Sequence, residues 1–129
     1  MRYDRPPFRV LRPVAWGCVV LLAVLSLLPA EEMVRTSLGG HIEHATAYAG
    51  TALLIGLGYP AWGWRRIAAV LVIYAGVLEL LQNFSPGRHP AILDWLSSSI
   101  GAMIGLAFVH MTDEVWWRRR DNARSSNGA

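Results

Sequence analysis

Lysine is absent from this sequence, and all twelve basic residues are arginine. Cysteine occurs once, at Cys18 inside an apolar run, so neither an intramolecular disulfide nor a cysteine metal cluster can form. Cys18 is read as a packing residue, and without a pairing partner it says nothing about redox compartment. Charge is also scarce: 16% of the residues carry it, while 53% are hydrophobic. That balance is richer in apolar side chains than is usual for a soluble domain of 129 residues. The motifs of several familiar chemistries are missing too. No Lys-Ser/Thr pair and no G-x-G-x-x-G precedes a helix, so the glycines do not make a nucleotide loop. With no H-E-x-x-H and no two histidines four apart, no metal and no cofactor is expected. The arginines sit in short tufts between long uncharged segments, not across a folded face, which argues against a nucleic-acid partner.

What is present is a series of apolar runs that reads as a single domain. Residues 1–12 hold four arginines and a Pro-Pro pair and form a basic arm. Pro13 to Ala30 carries no charge; its eighteen residues are near the lower limit for a helix crossing a ~30 Å hydrocarbon core at ~1.5 Å per residue. A signal peptide is the rival reading of this first run, weakened by Leu28 where a small residue is wanted and by the further spans that follow. A connecting loop, Glu31 to Gly40, leads to twenty uncharged residues from Ala45 to Trp64, with Trp62 and Trp64 suited to an interfacial belt. Arg65 and Arg66 end this second span. The third, Ile67 to about Phe84, is clean for twelve residues before it meets Glu79. SPGRHP, Ser85 to Pro90, is a tight turn. The fourth span runs from about Ala91 to Met111, with Asp94 near the positive end of its helix dipole. After it, residues 112–129 form a basic tail, with Trp116, Trp117 and Arg118 to Arg120 as a short amphipathic anchor before a disordered SSNGA end. The predicted fold is therefore all-α, a four-transmembrane-helix bundle over residues 13–111.

The arginines orient it. Four precede the first span, two lie between the second and third, and four follow the fourth, which puts ten on one side against Arg35 and Arg88 on the other. The positive-inside rule then places both termini in the cytoplasm. Glu31 to His44 and Gln82 to Asp94 share the outer surface.

Three polar stripes begin at that surface. His41, His44, Tyr48 and Thr51 fall on one face of the second helix, Glu79 and Gln82 on one face of the third, and Asp94, Ser98, Gly101 and Gly105 on one face of the fourth. The last two form a G-x-x-x-G that permits close helix approach. Glu79 is the costliest group, because an ionised carboxylate within hydrocarbon costs at least ~2.5 kcal/mol. It is read either as a structural hydrogen bond to Tyr48 or Gln82, or as a proton-exchanging or ligand-binding group partnered by His44 or Arg88. Arg88, on the side otherwise poor in arginine, is the natural partner of an anion. His41 and His89 are read as solvated loop residues.

The order and spacing of His44 and Tyr48, Glu79 and Gln82, Gly87-Arg88, and Asp94 followed by Gly101 and Gly105 resemble the VanZ-like family of small bacterial membrane proteins, over roughly Gly40 to Phe108. Two positions depart from the family pattern: Gly40-His41 stands where many members have Asp-Lys, and Ser98 where an asparagine is common. The resemblance implies a multi-pass protein of the bacterial cytoplasmic (inner) membrane and cell envelope. The family's founding member is associated with antibiotic resistance, to the glycopeptide teicoplanin, a role that does not transfer on resemblance alone. The expected function is an outward-facing pocket of His44, Tyr48, Glu79, Gln82, Arg88, Asp94 and Ser98 that binds an anionic envelope component, a lipid-linked or cell-wall intermediate, within membrane lipid. Two alternatives stand beside it. One is a membrane enzyme with Glu79 or His44 as general acid or base, and the other is a structural or assembly protein whose polar groups only lock helices together.

Overall fold

The computed structural model describes residues 10–32, 37 and 39–126, with side chains described as far as Val115. It is all-helical, with no strand among the described residues. Four helices follow in order: α1 Leu11–Leu27, α2 Gly40–Gly58, α3 Trp64–Leu81 and α4 Ile92–Ser126. Single 3-10 turns occupy Ala30–Glu32, Pro60–Trp62 and Gln82–Phe84.

Proline and glycine set most of the boundaries, and they move the predicted spans. α1 stops at Leu27 because Leu28 is extended (φ −61°, ψ 141°), as a residue before proline tends to be. The first helix thus covers 11–27 and not 13–30. α2 starts five residues before the predicted Ala45 and ends at Gly58, where Tyr59 leads into Pro60 at the head of a 3-10 turn. Gly63 takes φ 73° just before α3, a conformation that favours glycine. The turn after α3 behaves as predicted: Arg88 N–H donates to the Ser85 carbonyl at 3.2 Å, with Pro86 second and Gly87 third at φ 72°, the pattern of a type II turn.

The tail differs from expectation. α4 continues unbroken for 35 residues to Ser126, so residues 112–126 extend the fourth helix instead of forming a separate anchor. Between Met111 and Ser126 there is no glycine or proline to stop it. The remainder of the predicted SSNGA end and most of the basic arm lie outside the described residues.

Trp64–Phe84 and Ile92–Val115 are long and apolar enough to cross a membrane; Leu11–Leu27 is apolar but shorter. α2 is not among the apolar spans, and its place in the bundle explains why. It contacts all three other helices and packs most extensively on α4, so it is built from Gly, Ala, Thr and His where the others show Leu, Val and Ile. α2 and α4 run parallel. A side chain on Gly101 would collide with the backbone of Ala45, and one on Gly105 with that of Ala49; the constant offset keeps the two helices in register over a full turn. Tyr48, Ala52, Leu71, Ala75, Ala102 and Leu106 fill the core between them and α3.

The radial distribution of polarity is inverted. Thr51, Gln82 and Ser98 are 3% exposed or less, while Ile73 (66%), Leu80 (66%) and Phe108 (57%) face outward.

Candidate functional site

Because α2 and α4 are parallel, their N-termini lie side by side, and the positive ends of two helix dipoles converge at one end of the bundle. Asp94, in the first turn of α4, answers that field and meets both histidines of α2. His41 Nδ1 is 2.7 Å from Asp94 Oδ1, and His44 Nε2 is 3.8 Å from Asp94 Oδ2. The His41 ring is more than half exposed and that of His44 largely covered. The i, i+3 spacing of the histidines brings both to one carboxylate.

Glu79 reaches the same helix start from α3. It is buried, and its Oε1 accepts the Ala91 backbone N–H at 2.6 Å. The Ala91 carbonyl in turn takes the first helical hydrogen bonds, from Asp94 N at 2.9 Å and Trp95 N at 3.3 Å. Ala91 is therefore the N-cap position of α4, and Glu79 supplies from another helix the acceptor that the N3 side chain of a capping box gives to the N-cap N–H. An N–H donated to a carboxylate is stronger than one donated to a neutral acceptor. Tyr48 is buried nearby, within electrostatic reach of Glu79. Thr51 turns back on its own helix, donating to the Ala47 carbonyl at 2.9 Å.

Gln82 follows Glu79 by one turn and is 2% exposed, yet its Nε2 has no hydrogen-bond partner among the described residues. A buried unpaired amide donor costs ~1–3 kcal/mol. Ser98 is buried on α4 at 3% exposure. Arg88 is buried as well: its Nη2 donates to the Ser26 carbonyl of α1 at 3.3 Å. The turn around it clamps the end of the same helix. Ser85 Oγ donates to the Leu27 carbonyl at 2.9 Å, and Ala30 N–H donates to the Pro86 carbonyl at 3.2 Å. Carbonyls at a helix C-terminus lack partners within the helix, and these donors supply two of them. α1 is thereby a member of the bundle.

The predicted residues therefore divide into two groups at one end of the molecule. His44 and Asp94 come together around a carboxylate that also holds His41, while Tyr48, Glu79, Gln82, Arg88 and Ser98 are the buried polar group. His89 is exposed, as expected of a solvated loop residue. His41 is exposed, as expected, but it lies in the first turn of α2 and not in a loop, and it is paired with Asp94. The amide of Ala91 and the carbonyl of Ser26 carry no side-chain signature and were not foreseeable. Among the described residues no cluster of three His, Cys, Asp or Glu side chains could hold a metal ion. No protein-family model matches the chain, and neither a curated protein nor a solved structure matches it.

Proposed function

We propose that the chain is a four-span membrane protein whose polar end binds an anionic, lipid-linked envelope intermediate. Apolar side chains on the outside and polar ones within suit a lipid surround, where polar groups turn towards the bundle interior. In this reading α1 and α2 cross together with α3 and α4. α2 is enclosed by its neighbours and does not need the hydropathy of a lipid-facing helix. The split of arginines supports this reading, with both termini in the cytoplasm and the site on the outer face of a bacterial inner membrane. The spacing from His44 to Gly105 supports placing the chain with the VanZ-like proteins.

The observation that carries the binding function is the buried, unpartnered Nε2 of Gln82 beside Glu79. An acceptor oxygen brought by a ligand would satisfy it, and the two helix N-termini, His41 and His44 favour that oxygen being part of an anion. The test uses a polyprenyl phosphate as probe against the detergent-solubilised protein. It should raise the melting temperature of the wild type and have little effect on Gln82→Leu, which keeps the volume and loses the donor. An equal shift in both proteins would remove Gln82 from the site, and no shift in either would remove the ligand class. Reporter fusions at Gly87 and the C-terminus test the orientation; a cytoplasmic signal at Gly87 would overturn it.

A second reading, an enzyme, is favoured by one distance. Asp94 holds His41 through Nδ1 at 2.7 Å, which leaves Nε2 of an exposed ring to take a proton, the arrangement of an oriented general base. On a polyprenyl diphosphate, water would add to phosphorus while His41 takes its proton, giving polyprenyl phosphate and inorganic phosphate. Phosphate release no greater than that of a His41→Gln control would exclude this chemistry.

A further inference from the structure

A second site lies at the opposite, arginine-bearing end of the bundle. An apolar slot of about 60 Å³ lies between α1 and α3, lined by Trp16, Ile55, Tyr59, Trp62, Leu71 and Tyr74. Both tyrosine hydroxyls in its wall are already bonded: that of Tyr59 accepts the Trp16 indole N–H at 2.8 Å, and that of Tyr74 donates to the Val19 carbonyl at 2.6 Å. A water in the slot would lack the polar partners that hold a buried water, so the space suits hydrocarbon. Trp16 and Trp62 are partly exposed at its edge, where an indole can face an apolar interior and a wet surface at once.

Arg12 stands at one end of this slot. It precedes Trp16 by one helical turn, so both side chains lie on one face of α1. Its guanidinium lies 4.8 Å from the centre of the Tyr59 ring, and its Nε donates to the Gly58 carbonyl at 2.8 Å. That bond fixes the planar fork and uses one N–H, leaving the Nη edge, which matches a phosphate. The Arg65 guanidinium lies 5.4 Å from the ring of Trp64, in a neighbouring cavity that shares Tyr59 and Ile67 with the slot. Among the described residues Arg12 and Arg65 meet neutral rings and a carbonyl, not carboxylates. The acids at this end are already engaged: Glu114 Oε1 is 3.9 Å from His110 Nδ1, and Asp113 has an interaction of its own.

We propose that Arg12 and the slot together bind an anionic phospholipid of the adjoining leaflet. The phosphodiester accepts from the Nη groups of Arg12, Arg65 adds a second positive charge, and one acyl chain enters the slot past Trp16 and Tyr59. The chain runs as far as the Tyr74 hydroxyl, whose bond to Val19 ties α1 to α3. A soluble phosphate would leave the slot empty. A zwitterionic lipid would bring its ammonium to an end whose carboxylates are engaged and whose aromatic faces carry Arg12 and Arg65. This lipid site rests on the chain lying in a membrane and is independent of the ligand proposed for the polar end.

The experiment is native mass spectrometry of the full chain released from vesicles of equal phosphatidylglycerol and phosphatidylcholine, with flotation on the same vesicles. Phosphatidylglycerol should be enriched among the retained lipids by about tenfold, a factor equivalent to ~1.4 kcal/mol. Arg12→Gln should remove most of the enrichment, whereas Arg66→Gln, which deletes the same charge at an exposed position outside the slot lining, should leave it in place. Val70→Trp puts a large ring on a partly exposed wall of the slot and should lower the amount of phosphatidylglycerol retained. Equal retention of the two lipids by wild type that floats with the vesicles overturns the proposal without recourse to any variant; a chain that does not float overturns the membrane reading as well. Equal losses in Arg12→Gln and Arg66→Gln would show attraction by diffuse charge and no site. Undiminished retention in Val70→Trp, or competition by soluble glycerophosphoglycerol as effective as that by the lipid, would remove the acyl chain from the slot.

Discussion

The α2–α4 seam and the α1–α3 flank hold the same bundle together by different means. At the seam, Gly101 and Gly105 lie against the backbone of Ala45 and Ala49, and Gly56 faces Val109 so closely that an added Cβ would sit 2.8 Å from its Cγ2. At Gly101 and Gly105 the contact is with backbone and does not depend on a side chain finding a rotamer. At the flank the Tyr74 hydroxyl donates to the Val19 carbonyl at 2.6 Å, and an apolar slot remains beside it. Close approach of backbones maximises dispersion contacts between the two helices. The seam is accordingly the rigid part and sets the register of the two helix starts that carry Asp94, His41 and His44. The flank has room to change.

The largest effect should come from Gly101→Leu. Its first side-chain atom would meet the Ala45 carbonyl, which belongs to a helix and cannot rotate away. Overpacking usually costs ~1–3 kcal/mol, and here neither side can yield, so ~3 kcal/mol or more is expected. Thermal unfolding in detergent should show a loss of folded protein or a large fall in melting temperature. A variant that melts with the wild type would mean that α2 and α4 do not meet at Gly101.

Second in size is Glu79→Ala, which sharpens the comparison by asking how α3 is joined to the rigid half. The substitution leaves the Ala91 N–H without its carboxylate acceptor, and a hydrogen bond to a charged group contributes ~1.5–3 kcal/mol. Glu79→Gln keeps an acceptor oxygen at nearly the same place, and should recover more than half of the loss. Equal melting of the alanine and glutamine variants would show that the hydrogen bond to Ala91 is not what Glu79 contributes. Hydrogen exchange at Ala91 provides an independent reading, faster in the alanine variant and close to wild type in the glutamine variant.

These two residues also mark how far the sequence could be read. Gly101 and Gly105 were legible because close helix packing needs small residues at that spacing, and the offsets of Asp94 and His44 placed them on matching faces. Gly87 was legible because its turn requires a residue that tolerates positive φ. The Ala91 amide that Glu79 accepts from and the Ser26 carbonyl that Arg88 donates to were not, since both are backbone groups, which every residue possesses and no sequence pattern marks. Arg88 shows it: its Nη2 donates to the carbonyl of Ser26, a partner that nothing in the sequence around either residue marks. The length of α4 was missed for a related reason, because a change from apolar to charged residues at Thr112 alters the surroundings a helix prefers without interrupting its backbone.

The smallest effect, and the one that separates the two regions most cleanly, is expected for Tyr74→Phe. It removes the hydroxyl that donates to the Val19 carbonyl and leaves the ring in the wall of the apolar slot. A single hydrogen bond contributes only ~0.5–1.5 kcal/mol net, and in the proposed membrane setting ~0.6 kcal/mol on average, so the melting temperature should fall by far less than in Gly101→Leu. The Val19 carbonyl keeps its place as an acceptor within α1, so no buried donor is orphaned by the change. Because the flank is the adaptable side, the consequence should be confined to α1: faster hydrogen exchange in residues near Val19, with exchange at the α2–α4 seam unchanged. A fall as large as that of Gly101→Leu, or exchange that spreads to Ala45 and Ala49, would show that flank and seam form one cooperative unit and that the distinction between them does not hold.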